Sequence, residues 1–169
     1  MVKNFKELEK IIHYKFKNNK ILAQCLKHKS YDPLNNNEKL EFLGDRVLGL
    51  IISEKLFELY PDYNEGKLDK KFASLVNRKK CLEISKLINL EKFIITANKG
   101  KKTIIEDKII SDACEALIGG IYLDRGIESS RKFILKFWNE YLKQDDLNLI
   151  DAKTKLQEYS LKIFKKLPE

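Results

Sequence analysis

Five acidic residues stand out in this 169-residue chain because their spacing could gather carboxylates into one place. Glu38, Glu41 and Asp45, in "NNNEKLEFLGDRVLGL", are three and four apart. At about 100° per residue on a helix they fall within about 60° of one another and share a face. The nearest cations on that stretch, Lys39 and Arg46, project about 100° or more away, so no i,i+4 partner neutralises the stripe and the cluster repels itself. A second pair, Asp112 and Glu115, lies three apart in "IISDACEALIGGIYL", where almost everything else is apolar or small. That helix must be largely buried. Each acidic group is followed one turn later by a glycine, Gly49 after Asp45 and Gly119 after Glu115, and mid-helix glycine costs up to about 1 kcal/mol against alanine. Close approach of the two helices along their acidic stripes would offset that cost and bring four or more carboxylates together.

Carboxylates crowded in a partly buried place have raised pKa values unless something neutralises them. A hard divalent cation with oxygen ligands does so, and Mg²⁺ is the default where carboxylates and substrate phosphates share a site. The alternative is local: Glu38 and Glu41 as an acidic first turn complementing the helix dipole, with Asp112 as a cap. Spacing alone leaves both open. Other chemistries lack parts. The two histidines, His13 and His28, stand in no HExxH and beside no cysteine. "GDRVLG" has two glycines spaced as in a phosphate-binding loop, but Leu50 takes the place of the required lysine, which argues against a nucleotide cofactor.

The elements that must position these acids are helical. Apolar residues recur at helical spacing in six stretches, "FKELEKIIHYKF", "ILAQCLKH", "EKLEFLGDRVLGLIISEKLFELY", "KLDKKFASLVNRKKCLEISKLI", "DKIISDACEALIGGIYLD" and "ESSRKFILKFWNEYL". Pro33, "YPDYNEG" and "DRG" punctuate them, and the fold class is all-α. "FIITANKGKKTIIE", residues 93–106, has the β-branched runs of a hairpin around Asn98, Lys99 and Gly100; it is read as a loop, its conformation left open. Cys25, Cys81 and Cys114 are odd in number and form no CxxC, as reduced core thiols would. Cys114 falls on the far side of its helix from Asp112 and Glu115, and Trp138 reads as packing. No apolar stretch is long enough to span a membrane, since Glu54 and Lys55 interrupt "VLGLIISEKLFELY", and "MVKNFKELEK" lacks a signal-peptide core; a soluble, cytoplasmic protein is expected. Lys and Arg outnumber Asp and Glu by 33 to 25, a net +8, with basic clusters at Lys70 and Lys71, at Arg78, Lys79 and Lys80, and at Lys99, Lys101 and Lys102. A polyanion is the matching partner.

The stretch "NEKLEFLGDRVL" resembles the signature of the ribonuclease III endonuclease domain, usually written around NERLEFLGDAVL. Supporting stretches follow in the family's order: "KHKSY" at 27–31, "EGKLDKKFASLVNRKKC" at 65–81 and "DKIISDACEALIGGIYLD" at 107–124, so the resemblance covers about residues 5–145. It divides the chain into an endonuclease domain over 1–145, a linker at 146–150, and an incomplete start of a double-stranded RNA-binding domain at 151–169. A complete module of that kind spans about 16 base pairs with a sheet and a second helix.

Carried over residue by residue, the resemblance implies metal ligands at Glu41, Asp45, Asp112 and Glu115, with Asp45 and Glu115 catalytic. It implies accessory acids at Glu38 and Glu65. Phe42 matches the aromatic inserted into a partner subunit, which implies a homodimer. Phe42 also sits off the inward stripe of Leu40, Leu43, Val47 and Ile51, so in a monomer its ring should be exposed. Asn36 stands where many members have His, Arg46 where Ala is usual, and Phe72 where a basic residue is common; none of these removes a ligand. The implied activity is Mg²⁺-dependent hydrolysis of double-stranded RNA, with Mn²⁺ as a substitute ion, leaving 5′-phosphate ends. Its implied role is processing of structured precursor RNAs, ribosomal RNA included.

Overall fold

The helices begin and end where short polar side chains intervene. The computed structural model describes residues 5–97, 105–144, 157 and 159–165. Helix α1 (Phe5–Ile12) buries Leu8 and Ile12 and stops where His13 takes a positive φ of 53°. Helix α2 (Asn19–Cys25) starts at Asn18, whose side chain accepts the Lys20 N–H at 3.0 Å. Helix α3 (Glu38–Leu59) runs for 22 residues and buries Leu40, Gly44, Val47, Leu48, Ile51, Ile52 and Leu56, one broad face at helical spacing.

Six helices were expected; seven occur among the described residues of 5–144, because the fourth stretch is two. Helix α4 (Glu65–Val76) and α5 (Arg78–Leu87) meet at Asn77, which is extended. Asn77 Oδ1 accepts the Lys80 N–H at 2.9 Å and caps α5, while Nδ2 donates to the Ala73 and Ser74 carbonyls at 2.9 and 3.0 Å and closes α4. One asparagine therefore satisfies orphan groups at both helix ends, which continuous apolar spacing could not reveal. A 3-10 turn at Leu90–Lys92 follows, then α6 (Asp107–Arg125) and α7 (Ile127–Lys143), separated by Gly126 at φ 77°.

Helix α6 is the centre of the fold. It packs against α2, α3, α5 and α7, most extensively against α3, and ten of its residues are buried. Trp138 of α7 is fully buried with its indole N–H donating to the Leu75 carbonyl at 2.9 Å, so it packs the core. Cys25, Cys81 and Cys114 are free thiols inside that core. Ile95 forms an isolated parallel bridge with Lys27. Residues 98–104, the centre of the hairpin-or-loop stretch, lie outside the described residues, as does most of 151–169; a short helical segment lies at 159–164. No helix among the described residues is long and apolar enough to cross a membrane.

Candidate active site

Where α3 crosses α6, side chains are missing on both helices. A Cβ on Gly44 would overlap the Glu115 carbonyl and come within 2.8 Å of the Gly119 nitrogen, and a Cβ on Gly119 would overlap the Leu40 carbonyl. Two glycines thus let the backbones touch. The partner of Gly119 is Gly44, not the expected Gly49, which faces the Phe72 ring at an ordinary 3.5 Å. Five residues, about 140° of rotation, carry Gly49 to another side of α3.

The crossing places Glu38, Glu41 and Asp45 of α3 and Asp112 and Glu115 of α6 around one cavity of about 300 Å³, with His28, Lys29, Phe42, Arg46 and Lys108 completing the wall. The start of α3 is fixed by Asn36, buried, whose Oδ1 accepts the Glu38 N–H at 3.0 Å and whose Nδ2 donates to the Pro33 carbonyl at 3.0 Å. Glu65 does not join the cluster; it is exposed in the first turn of α4 and outside the cavity. Phe42, 64% exposed, lies at the cavity's edge.

The expectation of an unneutralised stripe needs correction. Lys29 pairs with Glu38 at 2.8 Å, Lys108 with Asp112 at 2.6 Å, and Arg46 with Asp45. Arg46 leaves the helix pointing away from the acids, but its guanidinium lies over the Phe42 ring, 4.7 Å from the centroid, and returns to its neighbour. A long side chain lying on an aromatic face can cover the angle that Cα directions alone forbid. Lys29 comes from a loop before α3, invisible to helical spacing. Lys108 and Asp112 stand at i,i+4, a signal that was present in the sequence.

Glu41 and Glu115 form no ion pair among the described residues. Burial first, then the charges of Asp45, Glu41 and Asp112, push the Glu115 carboxyl up to about 7. Burial and the Asp112 charge likewise raise Glu41, whereas the Lys29 hydrogen bond lowers Glu38. A hydrogen bond from Cys81 opposes the rise at Glu115. The Cys81 thiol is itself pushed up, by its hydrogen bond with Cys114 first and by burial second. No sequence signal linked Cys81 to Glu115, because they meet only through the packing of α5 on α6.

As placed, no three acidic, His or Cys side chains among the described residues converge at metal-binding range. Asp45 and Asp112 are paired with Arg46 and Lys108. The donor set nevertheless suits a hard cation: all oxygen, drawn from two rigid helices, with two carboxylates whose repulsion a bound cation would relieve.

This fold is that of a ribonuclease III nuclease domain. The nuclease domain of ribonuclease III from Campylobacter jejuni is similar over 86% of this chain and all of that one, with a TM-score of 0.76 and 39% identity. A second structure of that domain, described for flexibility in a region involved in dimer formation, gives a TM-score of 0.75 at 39% identity over 82% of this chain and 98% of that one. Among curated proteins, Ribonuclease 3 of Pelagibacter ubique is 63% identical over 163 residues, 96% of this chain and 73% of that protein. The Ribonuclease-III-like family model matches residues 18–142, and the chain belongs to this family of endoribonucleases.

Proposed function

We propose that the chain hydrolyses phosphodiester bonds in double-stranded RNA with Mg²⁺ as cofactor and Mn²⁺ as a substitute. The observation that carries this reading is the cavity between α3 and α6, which five carboxylates line while Glu115 has no ion-pair partner among the described residues. Glu41, Asp45, Asp112 and Glu115 would hold the ion, with Asp45 and Glu115 nearest the reaction. When bound, such an ion lowers the pKa of coordinated water and neutralises charge at the phosphate. The chain's own residues do the rest. Lys29, Arg46 and Lys108 line the same cavity, and a phosphate backbone entering it would draw these cations from their carboxylates. Backbone contacts of that kind are salt-sensitive and blind to sequence, which suits an A-form duplex whose major groove hides its bases. Glu38, already paired with Lys29, and Glu65 are accessory acids in this reading.

Phe42 is the residue proposed to insert into a second copy, making the protein a homodimer. Support comes from its exposed ring beside the cavity and from the dimer-forming region named for the Campylobacter domain. Loss of mass by light scattering in Phe42→Ala, with the helical circular dichroism unchanged, tests it. Residues 1–145 are proposed as the nuclease domain, 146–150 as a linker, and 151–169 as the start of a double-stranded RNA-binding domain. The proposed role is cytoplasmic processing of structured precursors, ribosomal RNA among them.

The deciding experiment incubates a long RNA duplex with the chain, with and without Mg²⁺, and sizes the products and identifies their ends. Mg²⁺-dependent fragments with 5′-phosphates are expected. Undiminished cleavage in excess chelator, or 5′-hydroxyl ends, would overturn the reading.

A further inference from the structure

One wall of the cavity carries a ring that is neither an acid nor the cation paired with one. His28 lies half-buried there, in the loop between α2 and α3. Its backbone is held: its N–H donates to the Ile95 carbonyl at 2.9 Å, and its carbonyl accepts the Tyr31 N–H at 2.9 Å. One residue earlier, the Lys27 carbonyl accepts at 2.9 Å the N–H of Asn37, which immediately precedes α3. The loop is thereby tied to the start of the helix that bears Glu38, Glu41 and Asp45.

The hydrogen bonds of the ring assign its tautomer. The Ser30 N–H donates to His28 Nδ1 at 3.2 Å, and a backbone N–H can only donate, so Nδ1 is the acceptor. Ser30 Oγ lies 2.9 Å from the same nitrogen and accepts the Ala97 N–H at 3.2 Å. With that lone pair engaged by Ala97, the hydroxyl has its proton to offer to Nδ1. The proton of the ring then sits on Nε2, the other nitrogen. No hydrogen bond among the described residues engages Nε2.

We propose that His28 is a substrate contact, its Nε2–H donating to a phosphate oxygen of an RNA backbone that enters the cavity. The inference rests on the reading of this cavity as an RNA-cleaving site. With Nε2 protonated and Nδ1 turned to Ser30, the ring has no lone pair to give a cation and none with which to take a proton. Metal ligation and general-base work therefore fall to the carboxylates, and His28 is left to donate. A phosphate oxygen only accepts, and a hydrogen bond to a charged oxygen is stronger than one to a neutral hydroxyl. Lys29, next along the chain, lines the same cavity, so a phosphate there would meet an ammonium and a ring N–H side by side.

The test replaces the two ring nitrogens separately in the full chain. A glutamine amide reaches as far as Nε2 and an asparagine amide as far as Nδ1, so His28→Gln keeps a donor at the cavity and His28→Asn keeps only the contact with Ser30. His28→Phe keeps a ring and neither nitrogen. Duplex RNA binding is measured by fluorescence anisotropy without divalent ions, cleavage at saturating Mg²⁺, and Mn²⁺ affinity by calorimetry without RNA. His28→Asn and His28→Phe should each raise the duplex Kd and lower kcat/KM about 10-fold, as loss of a hydrogen bond to a charged group does. His28→Gln should stay within about threefold of wild type. All three should keep the wild-type Mn²⁺ affinity, which a merely structural role in placing α3 would not spare. The asparagine penalty on binding should persist with a 2′-fluoro duplex, which keeps the A form and lacks the sugar hydroxyl. Wild-type binding and cleavage in both donor-free variants, a glutamine variant as defective as asparagine, a matching loss of Mn²⁺ affinity, or a penalty that vanishes with the 2′-fluoro duplex would overturn the phosphate contact alone. A wild-type chain that neither binds nor cleaves duplex RNA would overturn the reading of the cavity and this inference with it.

Discussion

Two carboxylates on α6, Glu115 and Asp124, are both largely withdrawn from water, and their surroundings are opposite. The Asp124 side chain is only 2% exposed and accepts the Tyr14 hydroxyl at 2.7 Å and the Lys17 and Asn18 N–H groups at 2.9 Å each. Burial pushes its ionisation up, but the Lys17 N–H, the Tyr14 hydroxyl and the Asn18 N–H outweigh it, so the carboxyl lies below the ordinary aspartate range. Glu115 sits among Asp45, Glu41 and Asp112 and rises to about 7. The last turn of the helix thus uses a carboxylate to tie the start of α2 to the core, and its middle leaves one in conflict with its neighbours. Conflict of that kind is a poor way to hold a fold and a good way to hold a cation, since only a ligand resolves it.

The largest expected effect breaks the comparison at the unsatisfied carboxylate. Glu115→Gln should lower duplex cleavage by about three orders of magnitude or more, as loss of a group acting directly on the reaction does. Its thermal midpoint without divalent ions should be unchanged or higher, because the amide keeps the shape and removes a repelled charge. Cleavage within tenfold of wild type would contradict the site assignment.

The surroundings of Glu115 were the more legible in sequence. Glu38, Glu41 and Asp45 declared themselves by spacing, and Asp112 and Glu115 by being the polar residues of an apolar helix. The exposure of Phe42 followed from its angle off the inward stripe. What sequence could not supply were meetings between elements: Lys29 reaching Glu38 from a loop, Cys81 reaching Glu115 from α5, Gly44 rather than Gly49 at the crossing. Asn77 hid its double cap because apolar periodicity ran straight through it. Asp124 offered no signal either, since its partners lie more than a hundred residues earlier.

The next effect concerns how the two helices come close enough to share a site. Gly44→Ala puts a methyl group into the Glu115 carbonyl, and backbone cannot move aside as a side chain can. A loss of about 3 kcal/mol or more is expected in denaturant unfolding, at or above the upper range of ordinary overpacking. Gly49→Ala, facing a Phe72 ring at 3.5 Å, should change stability by less than about 1 kcal/mol, with helix propensity in its favour. Equal losses in the two variants would mean that the crossing is not at Gly44.

At the satisfied carboxylate, Asp124→Ala should destabilise by about 2–3 kcal/mol, because the Lys17 and Asn18 N–H groups and the Tyr14 hydroxyl lose their acceptor together. Cleavage per folded molecule should stay near wild type at a temperature where the variant is folded. A cleavage defect larger than the folded fraction explains would show that the surroundings of Asp124 and Glu115 are coupled.

The smallest effect separates the two carboxylates by the sign of their pH dependence. Glu115 has a folded value raised to about 7 against an ordinary value near 4.5. Between those values the folded chain binds more protons than the unfolded one, so this contribution is present in full below about 4.5 and is lost as pH rises through about 7. Asp124 is lowered. Its contribution is present above the ordinary value of 3.8 and is lost as pH falls through its folded value. Without divalent ions, the thermal midpoint should therefore decline from pH 5 toward pH 8 on account of Glu115, with the raised Glu41 adding to the slope, and decline again below pH 4 on account of Asp124, with the lowered Asp32, Glu38 and Glu58 adding to that limb. Glu115→Gln should flatten the neutral limb by a few degrees and spare the acid limb, while Asp124→Asn should reduce the acid limb and spare the neutral one. Adding Mg²⁺ should raise the midpoint most at pH 8, where Glu115 is ionised and able to bind, and should leave pH 4 nearly unchanged. A neutral limb that survives in Glu115→Gln would place the conflict on another carboxylate of the cavity, with Glu41 the first to examine, and the contrast with Asp124 would then have to be redrawn around it.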